Sequence, residues 1–392
     1  MVVYDPYDWN TQENPYPVYQ ALRDNAPLYR NDKLEFWALS RHADVLAAFR
    51  DHETYSSAQG PALEPLDRAA TDVASFLAMD PPRHDAFRAT IWRLFSKRKV
   101  QALEPKIREL SSHYLGTFQH RGCCDFIADF SGKLPMDVIS DMLGIPKEDR
   151  DTIRSFTDIV VHREAGQSRV PLPSILAGTQ LLAYFGNHLA KRRKDPQNDI
   201  TDLLIAAEED GHPLAEKDII ALLFLMAIAG NETTTKLLGN ALYWLAEDPT
   251  QRKMVQEDPS LIPAWVEETL RFDPSSQMVA RTATRDVELH GKTIKKGDRV
   301  ALLIGSANRD ERAYKYPNRF DITRQNDLSL AFGHGVHYCL GASLARLEGK
   351  VCLEEVMKTI PDYKIVHNEL IRVHSPNVRG FASLPLRFTA TS

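Results

Sequence analysis

Along most of the chain, apolar residues recur at the spacing of an α-helix, and only short stretches alternate apolar and polar positions as β-strands do. The helical spacing predicts helices over 83–96, 99–120, 126–143, 147–161, 174–193, 199–208 and 342–357, with a further helix ending near residue 272. Strand-like stretches lie at 34–40, 285–290, 298–304 and 384–389. The pattern therefore predicts a mainly α fold with a smaller β-rich portion.

The longest predicted helix runs from Ala215 to about Glu247. No proline lies between Pro213 and Pro249, so the backbone can form about nine uninterrupted turns. Its middle is apolar on nearly every side, which predicts that it passes through the centre of the molecule. The longest apolar run, Ile219–Ala229, is shorter than the roughly 20 residues that a membrane-spanning helix needs.

Composition and charge narrow the class of protein. Of 392 residues, 43% are hydrophobic and 26% charged, which suits a globular protein with a large core. The formal net charge of −5 gives no reason to expect nucleic acid or an anionic membrane as a partner. Four cysteines, two of them adjacent at Cys123 and Cys124, do not form a disulfide framework, and the first residues lack a signal-peptide pattern. A cytoplasmic location is therefore expected.

The chain shows neither a linker nor an internal repeat. We therefore expect a single domain over residues 1–392, with an α-rich region at 80–272 and a β-rich region mainly at 30–60 and 280–392. The segment 305–336 is long and irregular, and such a segment inside a compact domain is usually functional.

A glycine-rich segment around one cysteine carries the strongest chemical signal. It reads Phe332-Gly333-His334-Gly335-Val336-His337-Tyr338-Cys339-Leu340-Gly341 and is followed directly by a helical pattern. Its glycines permit a tight turn and a close approach to a flat ligand, and the positive end of the next helix would stabilise a thiolate. Taken alone, a turn around a buried structural cysteine is the simpler interpretation.

The order and spacing of this segment resemble the Phe-Gly-x-Gly-x-His-x-Cys-x-Gly signature of the cytochromes P-450. The resemblance implies the cytochrome P-450 fold, a helical bundle around a buried haem with a long central helix, and haem b as the cofactor. It also implies that Cys339 is the axial thiolate ligand of the iron and that Phe332 and Gly333 border the haem. In this family the thiolate pushes electron density toward the iron and favours cleavage of the O–O bond.

The long helix carries a second family-like motif, Ala229-Gly230-Asn231-Glu232-Thr233. It resembles the Ala/Gly-Gly-x-Asp/Glu-Thr motif, although a run of threonines alone would be more simply a satisfied polar face. We expect Gly230 to let the helix approach the cofactor and the Thr233 hydroxyl to compete for the Ala229 carbonyl, opening a notch for dioxygen. By resemblance, Glu232 and Thr233 are the acid–alcohol pair that delivers protons to dioxygen.

Two further groups of residues match family positions. Glu268 and Arg271 lie three residues apart on one helix face, and with Arg319 the resemblance makes them a structural ionic network. Taken alone, such pairs are common on helix surfaces and contribute little. The haem propionates require fixed donors, and Arg suits carboxylates because it can bond them bidentately. By resemblance, although each could be an ordinary surface residue, these donors are His84, Arg88, Arg281 and His337.

The electrons must come from outside the chain. It lacks a dinucleotide fingerprint and a cysteine cluster spaced for iron–sulfur, so family analogy implies ferredoxin and ferredoxin reductase as partners of a monomeric enzyme. A basic patch on the thiolate side would steer an acidic donor, although solvated surface residues are an equally good interpretation. The patch would contain Arg93, Lys97, Arg98, Lys99, Arg346 and Lys350.

The substrate is expected to be a hydrophobic small molecule, because the family's pocket positions are mostly apolar here. Variable lids are expected at 58–79 and 162–173, where His162, Arg163 and Arg169 weakly indicate an anionic group. The pocket positions are Leu225, Ile228, Ala229, Gln277, Met278, Val279, Val378 and Phe381.

Three functions stay open at this point. The first is an oxygen-dependent monooxygenase with a role in secondary metabolism. The second is a peroxygenase that uses hydrogen peroxide, which the intact Glu232–Thr233 pair disfavours. The third is a non-catalytic haem-based binding or sensor protein, which would not need residues for proton delivery.

Overall fold

α-Helices form most of the structure. The computed structural model describes residues 2–64, 68–161, 169–209 and 214–390. The helices are α1 (Trp9–Glu13), α2 (Tyr16–Asn25), α3 (His42–Arg50), α4 (Arg68–Val73), α5 (Arg83–Trp92), α6 (Lys97–Gln101), α7 (Glu104–Gly116), α8 (Leu134–Leu143), α9 (Arg150–Val161), α10 (Leu172–Arg192), α11 (Ile200–Glu209), α12 (Glu216–Glu247), α13 (Pro249–Glu257), α14 (Ile262–Phe272), α15 (Ile304–Ala307) and α16 (Ala342–Thr359). A π-helical turn covers Ile127–Ser131, and the turns Arg93–Phe95 and Gly335–His337 are 3-10 helical.

The strands are short and form small sheets. The strands are β1 (Leu28–Asn31), β2 (Phe36–Leu39), β3 (Tyr55–Ser56), β4 (Cys123–Asp125), β5 (Val279–Ala283), β6 (Val287–Leu289), β7 (Lys292–Ile294), β8 (Arg299–Leu302), β9 (Tyr363–Ile365), β10 (Ile371–Arg372), β11 (Phe381–Ser383) and β12 (Pro385–Phe388). The largest sheet has the order β1-β2-β8-β5-β3, and a second has the order β4-β12-β9. In the largest sheet only the β2–β8 pair is parallel. The mainly α fold with a smaller β-rich part is confirmed.

Helix α12 is the central element. It packs against α8, α10, α14 and α16, and its predicted bounds were correct to within one residue. Among the described residues it is the one helix long and apolar enough to cross a membrane, but 61% of its most apolar window is buried inside the molecule. Its apolar composition therefore serves the core, because helices surround it on several sides.

The helical pattern failed where a proline begins a new helix. The predicted helix 99–120 is two helices, because α7 starts afresh with Pro105 in its first turn. Similarly, α8 starts with Pro135 after the π-helical turn. Proline fits a first turn, where its missing N–H is not needed.

The irregular segment 305–336 is held by a buried ion pair. Arg271 binds Glu268 bidentately, with Nε–Oε2 2.8 Å and Nη2–Oε1 2.7 Å, and both side chains are 0% exposed. Arg271 also donates to the Asn308 and Pro317 carbonyls, each at 2.9 Å. A buried pair needs such further hydrogen bonds to offset the loss of hydration.

The predicted third member of this network was wrong. Arg319 contributes only its carbonyl, which accepts from Arg271 Nη2 at 3.2 Å, and its side chain is exposed. The second arginine on Glu268 is Arg324, with Nε 3.4 Å from Oε1. The spacing from the family motif identified the correct segment of the chain, but it did not identify which arginine of that segment points toward Glu268.

Candidate functional site

The cysteine segment folds as a tight loop that ends at the start of α16. Gly333 and Gly335 have φ angles of +67° and +70°, in the left-handed region that favours glycine. A Cβ atom on Gly335 would lie 2.5 Å from the Phe49 carbonyl oxygen. The N–H of Cys339 donates to the Phe332 carbonyl at 2.9 Å and closes the loop. Both glycines are therefore required by the backbone path.

The surroundings of Cys339 act on the pKa of its thiol in two directions. Its side chain is exposed, yet burial by surrounding protein is the largest influence on its pKa, which it raises. The N–H groups of Gly341 and Ala342, together with Arg88 and Arg346, act in the opposite direction and favour the thiolate. This matches the predicted role of the start of α16.

The four predicted propionate donors come from three elements and lie together. His84 and Arg88 share α5, Arg281 lies on β5, and His337 belongs to the loop before Cys339. The rings of His84 and His337 are 4.3 Å apart between centroids. Arg281, His84 and Arg88 all act on the charge of His337. The long-range pairing of β5 brings Arg281 to this cluster.

The cluster has donors without acceptors. His84 Nε2, Arg88 Nη1 and His337 Nε2 are buried and have no hydrogen-bond partner among the described residues, which is rare for buried polar atoms. Burial, followed by the neighbouring Arg281, lowers the pKa of His337 to about 3. Burial lowers the pKa of Arg281 to about 10. Unpaired nitrogens on one arginine and two histidines, with the buried guanidinium of Arg281 beside them, fit a ligand with carboxylate groups, such as the propionates of haem.

The middle of α12 opens toward one side. Ala229 is exposed and Leu225, Ile228 and Thr233 are partly exposed, whereas the residues around them are buried. The Thr233 hydroxyl donates to the Ala229 carbonyl at 2.8 Å, so the predicted side-chain bond to the helix backbone is present. These residues form one face of the helix. Because other protein atoms do not cover this face completely, a ligand can contact it.

The three successive threonines have different partners. Thr233 bonds within its own helix, Thr234 bonds Glu348 of α16, and Thr235 donates to the Ser131 carbonyl at 2.8 Å. The Thr233 carbonyl in turn accepts from the Ser275 hydroxyl at 2.7 Å. Only Thr233 combines an open face with a hydroxyl directed at the helix backbone.

Glu232 lies beside Thr233 but is buried, at 5% exposure. Its Oε2 is 3.4 Å from Lys236 Nζ, one turn further along α12. Its carboxyl group also lies within hydrogen-bonding distance of Asp158 on α9. The acid of the predicted pair is thus held between two other titratable groups.

Gly230 packs against a neighbouring helix, and its expected approach to the cofactor stays a prediction. A Cβ atom at this position would lie 3.3 Å from Ile139 of α8, so the glycine permits close packing of two helices. The open face belongs to its neighbour Ala229.

Three predicted pocket residues lie in the core instead. Gln277 packs on Gly305, Met278 accepts from the Tyr4 hydroxyl at 3.7 Å, and Phe381 is 0% exposed with its ring 5.0 Å from that of Tyr243. The other five retain some exposure, and Val279 shares a face of β5 with Arg281 because side chains alternate along a strand. These five are Leu225, Ile228, Ala229, Val279 and Val378.

The sequence carried no signal for several residues of the site. Asp158 and Glu348 are single acidic residues within helical patterns, and their partners lie on other helices. Of the predicted lid residues, His162 and Arg163 lie outside the described residues, as do 65–67 and 164–168.

Comparisons with known proteins agree with this geometry. A family model for cytochrome P-450 matches residues 179–360. A cytochrome P-450 of Mycobacterium tuberculosis (strain H37Rv) is 48% identical over 392 residues, covering 99% of this chain and 98% of its own. A vitamin D(3) 25-hydroxylase of Pseudonocardia autotrophica is 35% identical over 391 residues, covering 98% of this chain and 96% of its own.

Solved structures extend the likeness to the fold. A cytochrome P-450 of Chondromyces apiculatus has a TM-score of 0.91 at 33% identity, with 100% of both chains covered. One of Bacillus megaterium in complex with testosterone has a TM-score of 0.90 at 31% identity, covering 97% of this chain and 99% of that one. Because close sequence relatives and the same fold both span nearly its whole length, this chain belongs to the cytochrome P-450 family of haem-thiolate monooxygenases.

Proposed function

We propose that this monooxygenase hydroxylates or epoxidises a hydrophobic small molecule, with Cys339 as the thiolate ligand of haem b. The observation that carries the proposal is the convergence of Cys339 with the unpartnered donor atoms of His84, Arg88 and His337. When bound, haem b supplies the activation of dioxygen and the transfer of one oxygen atom to the substrate.

The chain's own residues bind the cofactor and manage protons. His84, Arg88, Arg281 and His337 hold the two propionates by charge-assisted hydrogen bonds. Thr233 holds a proton on Oγ1 at the open face of α12, and Glu232 replaces it from the buried side. Leu225 and Ile228 present apolar side chains on the same face and exclude water.

The substrate class is proposed from the character of the lining. Leu225, Ile228, Ala229, Val279 and Val378 are all apolar, which favours a ligand held by burial of hydrophobic surface. A related structure holds testosterone, and a relative is named for hydroxylation of vitamin D(3). Steroid-like molecules are therefore the first probes, with fatty acids, terpenoids and macrolides next, in line with a role in secondary metabolism.

Bacterial enzymes of this family generally take electrons from ferredoxin and its reductase. We propose the same source here, for a monomeric enzyme that works in the cytoplasm as one domain. Peroxygenase activity is the second candidate. The presence of both Glu232 and Thr233 disfavours it, because hydrogen peroxide already carries the two protons, as well as the two electrons, that dioxygen must gain, so residues for proton delivery to dioxygen would not be needed.

Two measurements test the proposal. The reduced protein with carbon monoxide should give a Soret band near the wavelength that gives the family its name, and Cys339→Ala should abolish it. Thr233→Ala should uncouple electron consumption from product and release peroxide, whereas Thr233→Ser should retain coupling because it keeps the hydroxyl. A normal band in Cys339→Ala, or full coupling in Thr233→Ala, would contradict the assigned roles.

A further inference from the structure

A polar layer interrupts the contact between α9 and α12. Asn231 Nδ2 donates to Thr157 Oγ1 at 3.3 Å, and the next residues along the two helices, Glu232 and Asp158, bring their carboxyl groups within hydrogen-bonding distance. Thr157 directs its own proton to the Arg154 carbonyl at 2.8 Å, so each member of the first pair donates one hydrogen bond. The second pair is satisfied only if a proton lies between the carboxyl groups, because ionised carboxylates have no donor.

The charges around the pair indicate where that proton is held. Glu232 already has a cationic partner, since Lys236 Nζ lies 3.4 Å away and both side chains are less than a tenth exposed. Burial and the neighbouring Glu232 raise the pKa of Asp158 to about 8, although Lys236 and Arg154 act in the opposite direction. The pair therefore holds one proton at neutral pH, and the proton belongs to both carboxyl groups.

The two carboxyl groups differ in their access to solvent. Glu232 is 5% exposed, whereas Asp158 is exposed, although the surrounding protein still desolvates its carboxyl group. Thr233 follows Glu232 directly and carries the hydroxyl on the open face of α12. From solvent inward, the order of exchangeable protons is Asp158, Glu232 and Thr233.

We propose that Asp158 is the solvent-side member of the proton relay, giving its proton to the Glu232 carboxylate through their hydrogen bond and regaining one from water. Only O–H bonds form and break, so the step needs neither an oxidant nor a reductant. The proposal rests on the proposed roles of Glu232 and Thr233. It makes Asp158 a positioning and relay residue, since its carboxyl group acts through Glu232.

If the Asp158–Glu232 hydrogen bond were only structural, position 158 would need a hydrogen-bond donor but not an acid. An asparagine could donate to Glu232 as a protonated Asp158 does, without the repulsion of two acids. Asp158→Asn therefore keeps the hydrogen bond and removes only the proton that can be exchanged. Asp158→Glu keeps the carboxyl group, and Asp151→Asn removes the same charge from an exposed position on the same helix.

The first test measures the shared proton itself. Infrared spectra of the resting holoprotein carrying Glu348→Gln, which removes the other buried acid whose pKa is raised to about 8, should contain a protonated-carboxyl band that shifts in D₂O and is lost between about pH 7 and 9. The band should be missing in Asp158→Asn and present in Asp151→Asn. In the Glu348→Gln background, persistence of the band in Asp158→Asn, or its absence when Asp158 is intact, overturns the proposal.

The second test measures proton delivery during turnover. Oxygen consumption is driven by NADPH with a plant-type ferredoxin and its reductase, with testosterone as the probe. Asp158→Asn should slow oxygen consumption by roughly tenfold and increase the factor by which D₂O slows it. Asp158→Glu should restore most of the rate. Turnover of Asp158→Asn with hydrogen peroxide should stay unchanged. A wild-type rate in Asp158→Asn, with Thr233→Ala and Glu232→Gln still altered, overturns this proposal alone. Wild-type behaviour of all three variants overturns the acid–alcohol relay as well.

Discussion

The buried carboxyl group of Glu348 should make the stability of the fold depend on pH. Glu348 lies on α16, is 2% exposed, and bonds Thr234 next to the proposed relay. Burial raises the pKa of its carboxyl group from 4.5 to about 8. The folded protein therefore keeps the proton at a pH where the unfolded chain has released it.

The stability should consequently fall with rising pH between about 4.5 and 8, by up to about 1.4 kcal/mol per pH unit from this residue. Glu348→Gln should flatten that slope, because glutamine keeps an acceptor for the Thr234 hydroxyl and cannot ionise. Urea unfolding at a series of pH values measures it. Glu257→Gln, on the exposed surface of α13, should leave the slope as in the wild type, and an unchanged slope in Glu348→Gln would refute the prediction.

The ion pair of Glu268 and Arg271 gives a second prediction for single residues. Glu268→Gln should lower the free energy of unfolding by about 3–5 kcal/mol, because it leaves a fully buried guanidinium without its carboxylate. Arg324→Ala should cost about 1–3 kcal/mol, since that side chain bonds Glu268 and nearby carbonyls. Arg319→Ala should stay within about 0.5 kcal/mol. Equal losses in the two arginine variants would show that the roles assigned to them are wrong.

These residues also show what the sequence could and could not predict. Cys339, Glu232 and Thr233 lie in contiguous motifs, so their order along the chain carries their relation to each other. Arg324 and Asp158 depend on which side chains turn inward when distant segments pack, and local spacing does not encode that. Glu268 and Arg271 were found because a single helix turn separates them.

At the scale of elements, the cysteine loop depends on the path of the backbone before α16. Gly335→Ala should place a methyl group against the Phe49 carbonyl, at 2.5 Å, at a φ angle that alanine avoids. We expect a distorted loop and a lower ratio of haem to protein, measured by extraction of the cofactor. The loop, more than Cys339 alone, sets the position of the sulfur.

Alanine substitutions at two other glycines serve as controls. They test whether a loss of haem in Gly335→Ala comes from the added methyl group, from the positive φ angle or from the contact with Phe49. Gly341→Ala has open space around the new methyl group and should load haem normally. Gly291→Ala has a φ angle of +70° but no atom within 4 Å of the new methyl group, so it should cost about 1 kcal/mol of stability without loss of haem. Full haem content in Gly335→Ala would show that the close approach to Phe49 is not required.

The bounds of helices and strands, like the site residues, were predicted well where the information lies in one continuous stretch of sequence. Helix α12 was predicted almost correctly because 32 residues of one pattern outweigh local ambiguity. Strands of two to five residues, such as β3 and β5, were missed because so few residues carry little alternation of apolar and polar positions. The pairing of β3 with β5 also spans more than 200 positions of sequence. The donor Arg281 on β5 was found only through the family resemblance.

At the scale of the whole molecule, the basic surface near the thiolate is smaller than predicted. Arg346 is not free, because its Nε lies 2.5 Å from Glu267 Oε1 and its guanidinium covers the Phe332 ring at 4.5 Å. Lys350 pairs with Glu354 at 3.7 Å. The exposed cations that remain are Arg93, Lys97, Arg98 and Lys99.

These four residues follow α5, which Arg88 ties to the cysteine loop through the Tyr338 carbonyl at 2.6 Å. We expect the double variant Lys97→Glu and Lys99→Glu to slow ferredoxin-driven reduction by about tenfold or more at low salt, because opposite charges steer the encounter. The difference should vanish near 1 M salt, where the Debye length is about 3 Å. Stopped-flow reduction at several ionic strengths measures it.

Turnover with hydrogen peroxide separates electron delivery from damage to the site, because it bypasses the ferredoxin. The double variant should keep wild-type peroxide turnover, and so should Lys253→Glu, an exposed charge on α13 that should also leave reduction unchanged. Arg346→Glu should impair both assays, since it breaks the Glu267 pair and uncovers Phe332 beside the loop. Loss of peroxide turnover in the double variant would mean that these lysines support the fold of the haem site and do not dock the donor.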